Sequence, residues 1–141
     1  MGAFPNAGRF PLYRFTRDSN YWQPVDVPAG FEAKAIGEAE GSTLVGGRSL
    51  LVASPSGWIE KSWPAGFVLE RLAGHPKARW VAAWGAGNLV VGPIDGALTI
   101  CRLDKFAVAW AAWDPFRTDS IVVTDAAGNA ARLSLPSVKP W

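Results

Sequence analysis

Residues 88–103 have the sequence NLVVGPIDGALTICRL, which predicts a β-strand, a turn at Gly96 and a second β-strand. The small polar residue that opens the first strand, Asn88, precedes the turn glycine by eight positions. The same arrangement occurs twice more, at Ser49–Val52 with Gly57 and at Ser120–Val123 with Gly128. The sequence therefore predicts one β-hairpin used three times, with each glycine supplying the backbone freedom that a tight turn needs.

A further strand precedes two of these hairpins, because Ala-Ala-Trp recurs at 82–84 and at 111–113. Short strands in units of this size are typical of propeller blades, and the runs LVV and IVV suit strands covered on both faces. We therefore predict an all-β fold of three or four antiparallel propeller-like blades, in a ring that is incomplete or that is completed by oligomerisation. The predicted single domain spans 1–141, and its parts are an irregular N-terminal segment at 1–30 and units at 31–66, 74–104 and 105–136.

The composition is that of a globular protein, with 49% hydrophobic and 18% charged residues and a formal net charge of +2. The basic residues are scattered, which argues against a nucleic-acid surface. No apolar run is long enough for a membrane helix, and we expect no membrane insertion. The N-terminus lacks the pattern of a signal peptide, so the expected location is the cytoplasm or a virion.

The second unit resembles a blade of the WD-repeat family. Gly74-His75 is followed by a strand ending in Ala83-Trp84, by the hairpin, and by Leu103-Asp104 in place of Trp-Asp. The third unit is similar through Trp113-Asp114-Pro115. The resemblance covers about 74–135 and implies a scaffold that binds other proteins. It also implies that His75 bonds to Asp95 within the blade, as a structural contact.

Residues suited to catalysis or to metal binding are few. His75 is the single histidine and Cys101 the single cysteine, so neither a histidine cluster nor a thiolate cage is available for a metal. The sequence has no Gly-x-Ser-x-Gly, Gly-x-Gly-x-x-Gly or Walker motif. We therefore expect no catalytic residue, no metal and no cofactor, and we interpret His75, Asp95 and the three turn glycines as structural.

Eight tryptophans are the unusual feature of the composition. Most are interpreted as core, Trp84 and Trp113 above all. The alternative is a glycan site, because Gly57–Phe67 resembles the turn, Glu-bearing strand and Trp of small lectins that assemble two-bladed chains into a ring. That likeness makes Trp58, Glu60 and Trp63 candidate sugar-binding residues, although the arginine of those lectins is absent here.

We therefore expect a non-catalytic module, not an enzyme, that acts in protein–protein interaction or structural assembly. Its expected partner is another protein or a second copy of the chain, because an unfinished ring leaves open sheet edges. The alternatives are a glycan-binding lectin, a virion structural component, and a domain shed from a larger propeller protein.

Overall fold

The structure is a computed structural model, which describes residues 12–18 and 20–135. The described residues form thirteen antiparallel strands and no helix. The strands are β1 Leu12–Thr16, β2 Tyr21–Val25, β3 Ala35–Ala39, β4 Ser42–Gly46, β5 Ser49–Ser54, β6 Gly57–Ser62, β7 Arg71–Gly74, β8 Trp80–Gly85, β9 Asn88–Pro93, β10 Thr99–Cys101, β11 Trp110–Trp113, β12 Ser120–Thr124 and β13 Ala130–Ser134. The all-β prediction is confirmed.

The strands form four separate sheets in chain order. The N-terminal hairpin is β1–β2, the first sheet is β3–β4–β5–β6, the second sheet is β7–β8–β9–β10, and the third sheet is β11–β12–β13. Each sheet is a meander of sequential neighbours, as propeller blades are, and the ring is not closed. The sequence also predicts the second half of a fourth hairpin at Gly8–Phe15, a segment that falls partly outside the described residues. Its described part lies in β1.

Three apolar layers hold these sheets together, one between each pair of neighbours. Between the first and second sheets lies the largest layer, which includes Leu44, Leu50, Leu72 and Val90. The layer between the second and third sheets includes Trp84, Leu89, Trp113 and Ile121, and the layer between the N-terminal hairpin and the first sheet includes Phe31, Leu51 and Leu12. The run LVV at 89–91 serves both faces of its sheet, as its pattern predicted. The same prediction fails for IVV at 121–123, because Ile121 and Val123 lie in one layer and Val122 lies in none.

A tight turn precedes the first strand of each of the three sheets. Pro28-Ala29-Gly30-Phe31 and Pro64-Ala65-Gly66-Phe67 are identical in sequence, and in both the phenylalanine N–H donates to the proline carbonyl, at 3.0 and 3.1 Å. Gly30 and Gly66 have φ of 75° and 81°, as a type II turn requires at this position. Leu103–Phe106 forms the third turn, with Lys105 at φ 54°. Each turn thus delivers one phenylalanine into a different apolar layer.

The order of the strands in each sheet shows that the predicted alignment of the third hairpin is wrong by one strand. Gly57 and Gly96 lie between the third and fourth strands of their sheets, whereas Gly128 lies between the second and third strands of the third sheet. Likewise, the first Ala-Ala-Trp is on the second strand of a sheet, β8, and the other is on a first strand, β11. Local sequence likeness of apolar strands misled the alignment, because every strand buried on both faces has a similar composition.

The first and second sheets approach each other backbone to backbone where β3 passes β7. A Cβ atom on Gly74 would overlap the carbonyl of Glu38, and one on Gly37 would overlap the side chain of Leu72. The amide of Glu40 also donates to the His75 carbonyl at 3.0 Å. Glycine is required at 74 for space, since its φ lies outside the left-handed region.

We expect Gly74→Ala to lower the free energy of unfolding by about 3 kcal/mol, because rigid backbone obstructs the added methyl group. The matched control is Gly128→Ala, which meets no atom within 4 Å but has a φ of +89°. It should cost only about 1 kcal/mol. Urea unfolding of both variants measures the difference, and equal costs would contradict the close approach.

Candidate functional site

The first strands of the three sheets, β3, β7 and β11, line one concave surface, which we call the inner wall. It bounds a cavity of about 840 Å³ with contributions from Lys34, Ile36, Arg71, Trp84 and Trp110, among others. The wall exists because each chain segment returns to this side through the turn before its sheet. Concave surfaces of this kind, partly apolar with a few polar groups, are where proteins bind small molecules.

Trp110 and Arg71 form the most distinctive feature of the inner wall. The indole of Trp110 is 51% exposed, and the Arg71 guanidinium carbon lies 5.1 Å from the centre of that ring. Trp84, which is buried, holds the Trp110 ring edge-on at a centroid distance of 5.4 Å. An exposed aromatic ring is thus fixed in place by one partner from the second sheet and flanked by a cation from the same sheet.

Lys34 adds a second cation to the inner wall, from the residue just before β3. Among the described residues that line the cavity, the charged side chains are Lys34 and Arg71, and none is a carboxylate. The wall therefore complements a ligand that carries negative charge and a planar or apolar group. Sequence analysis did not single out Lys34, Arg71 or Trp110. The signal that identifies them is their position at or next to the start of a first strand.

His75 lies behind the inner wall and is occupied by structural contacts. It is 2% exposed, packs on Trp113 at 4.7 Å between ring centroids, and accepts the Lys77 backbone N–H at Nδ1, at 2.9 Å. Its Nε2 therefore carries the proton and donates to the Thr118 carbonyl at 2.8 Å. The histidine ties the second sheet to the third, and the expected bond to Asp95 is not formed.

Asp95 instead belongs to the turn around Gly96, which two basic side chains hold. Arg79 donates Nε to Oδ2 at 2.6 Å and Nη2 to Oδ1 at 2.9 Å, and its Nη1 reaches Ser42 of the first sheet at 3.1 Å. Lys61 donates to the carbonyls of Pro93, Ile94 and Gly96. Burial lowers the pKa of Lys61, and the nearby Asp95 carboxylate opposes that shift. The turn is a junction between sheets.

The candidate sugar-binding residues do not share one surface. Trp58 packs in the layer toward the N-terminal hairpin and donates its indole N–H to the Asp26 carbonyl at 2.7 Å. Trp63 packs in the opposite layer and donates to the Gly47 carbonyl at 2.9 Å. Glu60 accepts the Ser49 hydroxyl at 2.6 Å and pairs with Arg48 at 3.7 Å. All three side chains have structural partners. Trp84 and Trp113 are buried, as predicted.

Within the described residues, no group of three or more His, Cys, Asp or Glu side chains is arranged to hold a metal ion. No helix in that part of the chain has the length and hydropathy to cross a membrane. Burial raises the pKa of the Cys101 thiol, so the reactive thiolate form is disfavoured there.

Comparison with known proteins identifies the class of fold. No protein-family model matches the chain, and no curated protein sequence matches it. Among solved structures, the chain is similar to a virginiamycin B lyase from Staphylococcus aureus, with 11% identity and a TM-score of 0.59. It is also similar to a streptogramin B lyase, with 13% identity and a TM-score of 0.61.

Both solved structures are β-propellers, so the predicted propeller-like fold is confirmed. The matches cover 92% of this chain, which spans about half the length of each of the two proteins, 50% and 49%. At these identities the likeness shows the fold alone.

The comparison corrects the expected function. We expected a non-catalytic interaction or assembly module and no enzyme, on the ground that degenerate propeller blades are scaffolds. That expectation is contradicted, because both of these solved structures with this arrangement of sheets are enzymes. The inner wall draws its residues from three separate strands, so no motif that is contiguous in the sequence marks it.

The Arg79–Asp95 pair generates a prediction on stability. Its bidentate hydrogen bond, above all, holds the pKa of Asp95 below its usual range, so the pair stabilises the fold above the ordinary carboxyl pKa. The contribution is lost as the pH falls through the lowered pKa. We expect Asp95→Asn to cost about 0.5–1 kcal/mol near neutral pH and almost nothing near pH 2, since the side chain is largely exposed.

Urea unfolding at the two pH values measures this difference, with Asp104→Asn as the control for loss of an exposed carboxylate. A cost for Asp95→Asn that is the same at both pH values would show that the ion pair is not its source.

Proposed function

We propose that the chain is one half of a propeller-fold enzyme of the lyase class, and that the inner wall is its substrate-binding surface. The observation that carries the proposal is the exposed Trp110 ring fixed beside Arg71 on the innermost strands. The fold shared with two lyases supports the class of activity.

The chemistry of the inner wall suits binding and charge stabilisation. A planar or apolar part of the substrate would stack on Trp110. Arg71 and Lys34 would hold a carboxylate or carbonyl oxygen and would stabilise negative charge that develops during bond cleavage. A lyase also needs a group that takes a proton. The His75 ring is already committed to Lys77 and Thr118, so we do not assign that role to His75.

The number of sheets supports the proposal that the chain is half of a propeller. The part of the chain that the structure describes has two four-stranded sheets, one three-stranded sheet and one hairpin, and the propellers it resembles have seven blades. The inner wall is consequently open on the side where further sheets would enclose a substrate. A WD-repeat kinship of the blades is a finer proposal, which rests on Gly74-His75 and Trp113-Asp114-Pro115 alone.

Incubation with virginiamycin B, followed by chromatography of the remaining compound, tests the proposal. We expect the protein to consume virginiamycin B, and we expect Arg71→Ala to lower kcat/KM about tenfold through the loss of a charged hydrogen bond. Trp110→Ala should raise KM more than it lowers kcat, because stacking contributes equally to substrate and transition state.

Arg102→Ala is the matched control, since Arg102 is exposed and lies outside the inner wall. Failure to consume the compound, together with unchanged tryptophan fluorescence when it is titrated into the protein, would overturn the proposal for this substrate class. Equal activity of the Arg71→Ala and Arg102→Ala proteins would overturn the assignment of the inner wall.

A further inference from the structure

We propose that a second copy of this chain docks on the free face of the third sheet, so that two chains close a head-to-tail ring. The free face consists of alternate residues on β11–β13 that point away from the second sheet. By strand register these are Ala112, Val122, Thr124, Ala130 and Arg132. Trp110 begins the same row, but its ring packs on Trp84 and Arg71 of the second sheet and belongs to the inner wall. The other set of alternate residues, with Ala111 and Ile121 among them, packs in the layer against the second sheet. This inference concerns assembly and stands apart from the proposed activity.

In the first and second sheets, the face that corresponds to this free face is covered by the next sheet along the chain. When the sheets are aligned on the strand that follows each turn, Val122 corresponds to Leu44 of the first sheet and to Ala82 of the second. Both of those residues are fully buried by the next sheet along the chain. In the third sheet the corresponding positions are partly or largely exposed. The free face is thus a surface of a kind that this fold covers with another sheet.

Asp114 provides an independent observation at the same end. It follows β11 as His75 follows β7, and both residues precede a proline. Both side chains accept the N–H of the second residue after them, at 2.8 Å for Asp114 and 2.9 Å for His75. His75 uses its remaining nitrogen to reach a carbonyl of the next sheet, that of Thr118.

Within residues 12–18 and 20–135, no further sheet faces the remaining oxygen of Asp114. The Asp114 side chain is 3% exposed, and its Oδ2 accepts no hydrogen bond. Among the described residues, Arg132 of the free face forms an ion pair with this oxygen, with Nε 3.2 Å from Oδ2. An oxygen buried in this way is costly unless a donor pairs with it. We infer that a donor on the docked sheet completes the contact, as Thr118 completes that of His75.

The N-terminal end of a second copy fits this surface. At that end, among the described residues, Ile36 of the first sheet is 59% exposed, and the exposed Glu38 lies two residues away. Glu38 complements Arg132 of the free face in charge. Two copies joined end to end place the same junction twice around a twofold axis, which leaves neither free face open. The chain spans about half of a propeller, so two copies supply the length of a whole one.

Native mass spectrometry and light scattering test the proposal on the full chain. We expect twice the chain mass of 15.1 kDa at micromolar concentration. Ala130→Glu, on the free face, should weaken the dimer at least tenfold. Ala97→Glu, in the exposed β9–β10 turn, is the matched control and should leave the mass unchanged.

A charge exchange keeps the test decisive should Ala130→Glu impair folding. Glu38→Arg and Arg132→Glu should each weaken the dimer, and the double variant should recover most of the loss. A monomeric wild-type chain, an assembly larger than a dimer, or a dimer that none of these variants weakens would overturn the proposal. Loss of virginiamycin B turnover in a chain that still forms the dimer would refute the proposed function alone.

Discussion

The structure depends on apolar contact between consecutive sheets. Each full sheet has two apolar faces, and a strand such as β9 places Val90 in one layer and Leu89 in the next. Hydrophobic burial stabilises the fold only when both faces are covered, so the sheets must stack side by side along the chain. Propeller geometry follows from this requirement.

Backbone contacts then set the shape of the inner wall. Gly37 and Gly74 let β3 and β7 approach more closely than side chains would permit. The outer parts of the same sheets are held apart by larger side chains such as Leu44, Leu50 and Val81. A stack that is tight on one side and wide on the other curves, and its tight side becomes concave. The curvature therefore brings Lys34, Arg71 and Trp110, which are far apart in sequence, onto one surface.

The sequence was informative about the elements that repeat and less so about their order. Apolar runs bounded by glycine predicted the strands correctly, because strand period and turn chemistry are local properties. The alignment of the third hairpin failed because β5, β9 and β12 look alike, although β12 is a second strand. The repeated Pro-Ala-Gly-Phe at 28–31 and 64–67 carried the correct alignment and is visible in the sequence. The inner wall could be predicted only once the first strand of each sheet was known, since its charged and aromatic residues share a position at or next to the start of those strands.

The turn before each sheet has an evolutionary consequence. Phe31, Phe67 and Phe106 recur at intervals of 36 and 39 residues, and each brings its own contribution to a separate layer. A duplicated gene segment that begins at such a turn would add one sheet together with the phenylalanine that packs in its apolar layer. Chains of this design could lengthen or shorten by whole units while the existing interfaces stay intact. Propeller-like chains of different length would then differ in the number of these units.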